Sequence, residues 1–325
     1  MIVRKAKEDT ILYIVLPCYN EAEGLLPTSE RLLQKRNELI QKGYISDKSR
    51  ILYVDDGSSD NSWEIISNLH TQHPEIQGVS LAHNRGHQNA LLAGLMFAKD
   101  RADVTITIDA DLQQDIHAME HFLDKYYYEG CEIVYGVRNS RNTDSAFKKG
   151  SAGFYYGFMK LMGCNLYSNA ADYRLMSALS IQALSEYSEV NLFLRGLLPE
   201  MGFKTGVVHF EVFEREYGKS KYTLSKMMKL AMDGITSFSV KPIRFFLILG
   251  VIIFLISVGA TIWTVIDFFL GNTVSGYATL NCSLWMLGGI ILLALGVIGE
   301  YVGRNYEESK KRPRYFLQDI LEDDK

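Results

Sequence analysis

Short uninterrupted apolar runs alternate along this chain with longer stretches in which apolar positions recur every three or four residues. ILYIVLP (residues 11–17) ends in CYNEAEG and is followed by a helical pattern to about Lys42. ILYV (51–54) ends in DDGSSDNS, after which WEIISNLHTQH repeats at helical spacing. VTITI (104–108) ends in DADLQQD and leads into HAMEHFLDKYYY. Runs of this length suit strands buried on both faces, and their alternation with helices predicts an α/β domain with a parallel sheet covered on each side. A further strand-like run, EIVY, precedes GVRNSR. In such sheets ligands bind outside the carboxyl ends of the strands. All three polar clusters stand there.

The pattern changes beyond residue 240. Between Arg244 and Asp267 lie 22 residues without a charge, and 32 more separate Asp267 from Glu300, dense in Leu, Ile and Gly from about Ala278. About 22 helical residues span roughly 33 Å, enough to cross a hydrocarbon core of about 30 Å. Two transmembrane helices are therefore expected. Lys219, Lys221, Lys226, Lys229, Lys241 and Arg244 precede the first, and Arg304, Lys310, Lys311, Arg312 and Arg314 follow the second. The residues between carry no Lys or Arg, so both flanks and the N-terminal domain are expected in the cytoplasm, with the GNTVSG loop outside. KYTLSKMMKLAMDGITSFSVK mixes lysines with Met, Leu, Ile and Phe, the pattern of an amphipathic helix at a membrane surface, with a surface helix of the soluble domain as the alternative. The expected organisation is a cytoplasmic α/β domain over 1–215, a membrane-interface segment over 216–242, a two-helix transmembrane hairpin over 243–303 and a cytoplasmic tail over 304–325.

Composition narrows the partners. A net charge of -4 supplies no field to draw in a nucleic acid. Cys18, Cys131, Cys164 and Cys282 form no C-x-x-C pair, which removes the familiar zinc pattern and any disulfide framework. The first ten residues, MIVRKAKEDT, hold no apolar core of a signal peptide.

The chemistry gathers at the strand ends. Asp109 and Asp111, one residue apart, repel each other unless a cation sits between them. DDGSSD offers acidic acceptors, hydroxyls and a flexible glycine suited to a ribose or base edge, but neither a P-loop nor a G-x-G-x-x-G fingerprint is present. A phosphate-bearing ligand would then need another cation, and Mg²⁺ or Mn²⁺ between carboxylates and diphosphate oxygens fits.

PCYNEAEG, DDGSSDNS, HNRGHQNALLAG and DADLQQD, in that order, resemble the family-2 glycosyltransferases of the GT-A (Rossmann-like) fold over about the first 240 residues. With two C-terminal spans, the chain is similar to the bactoprenol glucosyltransferase branch, related to dolichyl-phosphate mannose synthase. The resemblance implies inverting transfer of one hexose from a nucleotide diphosphate sugar to polyprenyl (undecaprenyl) phosphate at the cytoplasmic membrane face. It favours UDP-glucose as donor, with UDP-N-acetylglucosamine or GDP-mannose as alternatives. It also implies a membrane setting in surface-polysaccharide modification, a downstream flippase and transferase as partners, and leaves homo-oligomerisation open.

By the same resemblance Pro17, Tyr19, Glu21, Asp55 and Asp56 hold the nucleoside, Asp109 and Asp111 bind the metal, Gln113 lies near the sugar, and Arg85 reaches the diphosphate. Arg138 and Arg141 grip the lipid phosphate, Asp172 and Arg174 in AADYRLMS stand beside the reacting centre with Arg174 reaching the acceptor phosphate, and Arg215, Lys219, Ser220, Lys221 and Tyr222 extend the acceptor site toward the membrane. Asp60 reads as a turn or helix-cap residue, and His83 and His87 as loop or scaffold residues. The family's D-L-Q-D-P-P-E continuation is replaced here at Gln114, Asp115 and Ile116. Two rivals are a processive polysaccharide synthase, which should carry Q-x-x-R-W where this chain has FLRGLLPE, and a non-catalytic membrane assembly partner, which should have lost the carboxylates.

Overall fold

Strand and helix alternate through the first 138 residues, as the apolar runs predict. The computed structural model describes residues 4–111, 113–139, 170–189, 194–213, a few positions between 246 and 270, and 276–322. The elements in order are β1 (Leu12–Cys18), α1 (Ala22–Gln41), β2 (Arg50–Asp55), α2 (Ser62–Gln72), β3 (Ile76–Leu81), α3 (His87–Ala98), β4 (Val104–Thr107), α4 (Ala118–Glu129) and β5 (Ile133–Arg138). They continue as β6 (Ala170–Ser177), α5 (Ala178–Ser185), α6 (Leu194–Glu200), β7 (Thr205–Phe210), α7 (Tyr277–Ser309) and β8 (Leu317–Leu321).

The strands form one mixed sheet in the order β7-β5-β6-β4-β1-β2-β3-β8. β1 pairs in parallel with β2 and β4, as does β2 with β3 and β5 with β7. The fully parallel sheet expected from the sequence is corrected at two places: β6 runs against both β4 and β5, and β8 runs against β3. Because β6 is reversed, its first residues lie at the edge where β4 ends.

β1 shows why the sheet is double-faced. Leu12, Ile14 and Leu16 join the cluster formed with Leu25, Leu32 and Leu39 of α1, Ile66 of α2 and Phe122 of α4. Tyr13 and Val15 join Leu91, Leu92 and Leu95 of α3, with Ile181 and Leu184 of α5, on the other face. Alternation sends successive side chains to opposite faces, and each fully buried aliphatic side chain contributes about 1.5–3 kcal/mol. Pro17 sits near the end of this central strand without breaking the ladder. Val15 O accepts from Ile108 N at 3.0 Å, so the missing N–H of Pro17 also faces the β4 side, past the last β4 pair at Thr107. Gly94 lets α3 lie close on the sheet, since a Cβ there would come within 2.5 Å of Val15 Cγ1 and 2.7 Å of Val54 Cγ2.

Among the described residues one helix is long and apolar enough to cross a membrane, Leu287–Ser309 within α7. The first expected span falls largely, and the interface segment 216–242 wholly, outside the described residues. The residues read as a tail supply the last turns of α7 and the edge strand β8.

Candidate active site

The carboxyl ends of β1, β2 and β4 converge where the strand order reverses, with β2 on one side of β1 and β4 on the other. This is the place where open α/β sheets bind ligands. The first two loops are stitched together there. Asn20, at φ 52°, accepts from Ser59 N at 2.8 Å through its side chain, while its own N–H donates to Ser58 Oγ at 2.9 Å. Glu21 N donates to Ser62 Oγ at 3.1 Å. Tyr19 projects outward at 36% exposure. Asp60 accepts from Ser62 N at 3.0 Å and Ala22 N at 3.3 Å, a cap for the first turns of two helices.

Asp55 and Asp56 are both buried, and each has internal partners. Asp55 accepts from Ser58 N at 3.2 Å and Ser80 Oγ at 3.1 Å. Asp56 accepts from Arg85 N at 2.7 Å and Gly86 N at 2.9 Å, so it fixes the HNRG loop ahead of α3. Burial pushes the Asp56 carboxyl up despite those two amides. Gly57, at φ +64°, lies beneath the same loop; a Cβ there would meet His83 C at 2.6 Å and Asn84 N at 2.8 Å. The Arg85 side chain is exposed beside this turn.

The loop after β4 is held from three sides. Thr28 Oγ1 donates to Ala110 O at 3.0 Å, Tyr173 Oη to Asp115 O at 3.0 Å and Phe213 N to Gln113 O at 2.9 Å. Gln114, buried where the family pattern has a carboxylate, grips Asp109 twice: its Nε2 donates to Asp109 Oδ2 at 2.6 Å, and its Oε1 accepts from Asp109 N at 2.9 Å. Asp111 accepts from Gln113 N at 3.2 Å.

Across the cleft, Asp172, itself buried, is the centre of a charge cluster. Thr107 pairs with Arg174, and continuing that antiparallel register by two residues sets Asp172 opposite Asp109. The Asp172 carboxylate accepts from Arg174 Nη2 and from Arg195 Nη2 at 2.9 Å, and His87 Nε2 lies 3.4 Å away. Burial opposes ionisation of Asp172, but the Arg195 and Arg174 guanidinia and the His87 imidazole outweigh it and hold the carboxyl well below its usual range. His87 Nε2 is also 3.7 Å from Asp109 Oδ1. Crowding lowers the imidazole pKa, yet Asp172 and Asp109 together carry it above the ordinary value.

Asp109 behaves in the opposite way. Burial pushes its carboxyl up, and the Asp172 and Asp111 charges add to this against the pull of His87 and Arg138. A carboxylate whose ionised form is disfavoured, beside a second one, is the donor set a hard divalent cation satisfies. Among the described residues no third His, Cys, Asp or Glu completes a metal cluster. Such a cation would be held by Asp109 and Asp111 and completed by ligand oxygens and water.

Several sequence expectations are located by this geometry. Asp109, Asp111, Gln113, Asp172 and the end of β5 at Arg138 share the carboxyl edge. Arg174, expected at the acceptor phosphate, is fully buried on β6 against Asp172. Arg141, Arg215, Lys219, Ser220, Lys221 and Tyr222 lie outside the described residues. His87, Gln114 and Arg195 were not singled out for this cleft. His87 opens α3 after a five-residue turn that follows β3, a positional signal hidden because β3 was not recognised. Arg195 lies in FLRG, a segment noted only for lacking another motif.

The glycosyl transferase family 2 pattern matches residues 13–187, and the GtrB C-terminal hairpin pattern matches residues 241–304. An uncharacterized glycosyltransferase of Bacillus subtilis (strain 168), YkoT, is 48% identical over 307 residues, covering 94% of this chain and 91% of the relative. A prophage bactoprenol glucosyl transferase homolog of Escherichia coli (strain K12) is 35% identical over 309 residues, covering 94% and 98%. The bactoprenol glucosyl transferase of Shigella phage SfV is 36% identical over 307 residues, covering 94% and 97%.

Proposed function

Because the chain belongs to glycosyl transferase family 2, in its bactoprenol glucosyl transferase branch, we propose that it moves a single hexose from a nucleotide diphosphate sugar to a polyprenyl phosphate. The observation that carries this is the placement of the Asp109-x-Asp111 loop at the sheet's switch point, facing Asp172 across the cleft. Relatives named for glucosyl transfer to bactoprenol support glucose as the sugar and undecaprenyl phosphate as the acceptor. UDP is the nucleotide favoured by the resemblance. The nucleoside lies along Pro17, Tyr19, Glu21 and the Asp55–Asp56 turn, with Arg85 toward the diphosphate. Arg138, Arg141, Arg215 and the Lys219–Tyr222 segment meet the acceptor phosphate.

Asp109 and Asp111 would hold the divalent cation, Mg²⁺ or Mn²⁺, which would supply positive charge to offset that of a departing diphosphate. The acceptor is already an anion and needs no strong base, so catalysis rests on positioning and charge stabilisation. Asp172, clamped by two guanidinia, serves as the anion that orients Arg195 and His87 rather than as a proton acceptor. Attack from the face opposite the leaving group inverts the anomeric centre. The domain works at the cytoplasmic membrane face, followed by the interface segment and two spans, the second within α7.

The decisive experiment is nucleotide release by the purified protein with and without polyprenyl phosphate, for each candidate sugar nucleotide. Acceptor-dependent release is expected, and Asp111→Asn should abolish it while melting like the parent. Undiminished transfer by Asp111→Asn in excess EDTA would sink the metal-dependent mechanism. Release independent of any prenyl phosphate would sink the acceptor.

A further inference from the structure

The two chain segments that lead to the hydrophobic hairpin leave the sheet from its two opposite borders. β7 and β8 are the outermost strands of the sheet. β7 runs parallel to β5, with Phe210 beside Arg138, so it ends at the carboxyl edge that carries the cleft. Two residues on, Val212 bridges Gln114, and Phe213 N donates to Gln113 O at 2.9 Å, which sews this exit to the Asp109 loop. On the far border β8 is antiparallel to β3, and its first residue, Leu317, stands beside Leu81, the last of β3. The chain coming from α7 therefore also joins the sheet at the carboxyl edge.

The second attachment has little slack. Ala82 N donates to Phe316 O at 2.9 Å, Arg314 Nη2 to Tyr187 O at 2.6 Å, and Arg101 pairs with Glu322 at 3.0 Å. Leu321 packs on the core beside Gly78. From Ser309, the end of α7, to the anchored Arg314 there are five backbone steps, at most about 18 Å of chain. The link reads KKRPR, with Lys310, Lys311 and Arg312 exposed and Pro313 stiffening it.

We propose that β8 is a positioning strap: together with the β7 exit it holds the carboxyl edge of the sheet, and with it the cleft, against an anionic lipid surface. This rests on the reading that the acceptor is a membrane-embedded prenyl phosphate. An edge strand can also serve only to cover β3. The two roles separate by experiment. A cover requires the β8 pairing, whereas a strap requires in addition the short link.

The test inserts ten Gly/Ser residues between Lys311 and Arg312 in the full-length protein, leaving β8 and its contacts intact. Such an insert adds roughly 17 Å of root-mean-square reach. In vesicles of anionic phospholipid carrying undecaprenyl phosphate, transfer should fall by about tenfold, because the effective concentration of acceptor at the cleft drops. Transfer to a short, water-soluble prenyl phosphate in detergent should stay within about twofold, and the melting temperature should not move. Equal losses on both acceptors, or none on either, would overturn the strap.

A readout independent of activity uses a fluorophore on a cysteine at exposed Ala82, with Cys164 and Cys282 replaced by Ser, and a headgroup-attached quencher. Quenching should be strong in the parent and weaker in the insertion variant. Equal quenching in both overturns the strap even if the acceptor assignment stands. Unequal quenching in a protein that uses no prenyl phosphate upholds the strap and sinks the acceptor.

Discussion

Exchanging Asp172 for Asn keeps the volume and removes the anion on which Arg174, Arg195 and His87 converge. Arg174 is buried, and its Nε and Nη1 have no hydrogen-bond partner among the described residues, so the exchange leaves a buried guanidinium without its counter-ion. Breaking a buried pair from one side costs about 3–5 kcal/mol, and Asp172→Asn should lower the thermal midpoint accordingly. Arg195→Ala should cost less, because its side chain is 34% exposed and Arg174 remains paired. The depressed carboxyl also sets a pH dependence. Its stabilisation is fully present above the unfolded value near pH 4 and is lost as pH falls through the lower folded value. Acid titration of unfolding should therefore show a loss of stability below about pH 4 that is missing from Asp172→Asn; the same slope in both would refute the assignment. At this scale the strand-end carboxylates were legible because they are adjacent in sequence. Arg195 and His87 were not, because only folding brings them from 23 and 85 residues away to the same carboxylate.

Gly57 carries the packing of the second loop under the third. Its φ of +64° favours glycine, and an added methyl would strike backbone atoms of His83 and Asn84, which cannot rotate away as a side chain can. Gly57→Ala should displace the HNRG turn that Asp56 holds, weakening sugar-nucleotide affinity by about tenfold or more while the sheet stays folded. Calorimetric titration with the nucleotide checks this, and unchanged affinity would free the turn of any part in donor binding. Elements were legible in proportion to how apolar they are. β1, β2 and β4 announce themselves, whereas β3 carries Gln77, Gly78 and Ser80 in buried positions, and β6 buries Asp172 and Arg174. Those strands bury polar side chains, Ser80 against Asp55 and Arg174 against Asp172, so their sequences lack the apolar signature.

For the whole molecule, orientation is the property to test. A cysteine in the GNTVSG loop should react with an impermeant thiol reagent in intact cells, while one near Lys310 should not; equal labelling would overturn the two-span topology. The sequence by itself determined the strand–helix alternation, the metal-type carboxylate pair, the family and a second apolar helix, since each of these is written in local spacing or in an ordered set of short motifs. Tertiary structure alone decided the reversed strand β6, which sets Asp172 against Asp109, and the return of residues 317–321 to the sheet as β8. Pairing between distant segments depends on which hydrogen-bonding edges remain open once the core has formed, and no local pattern encodes that.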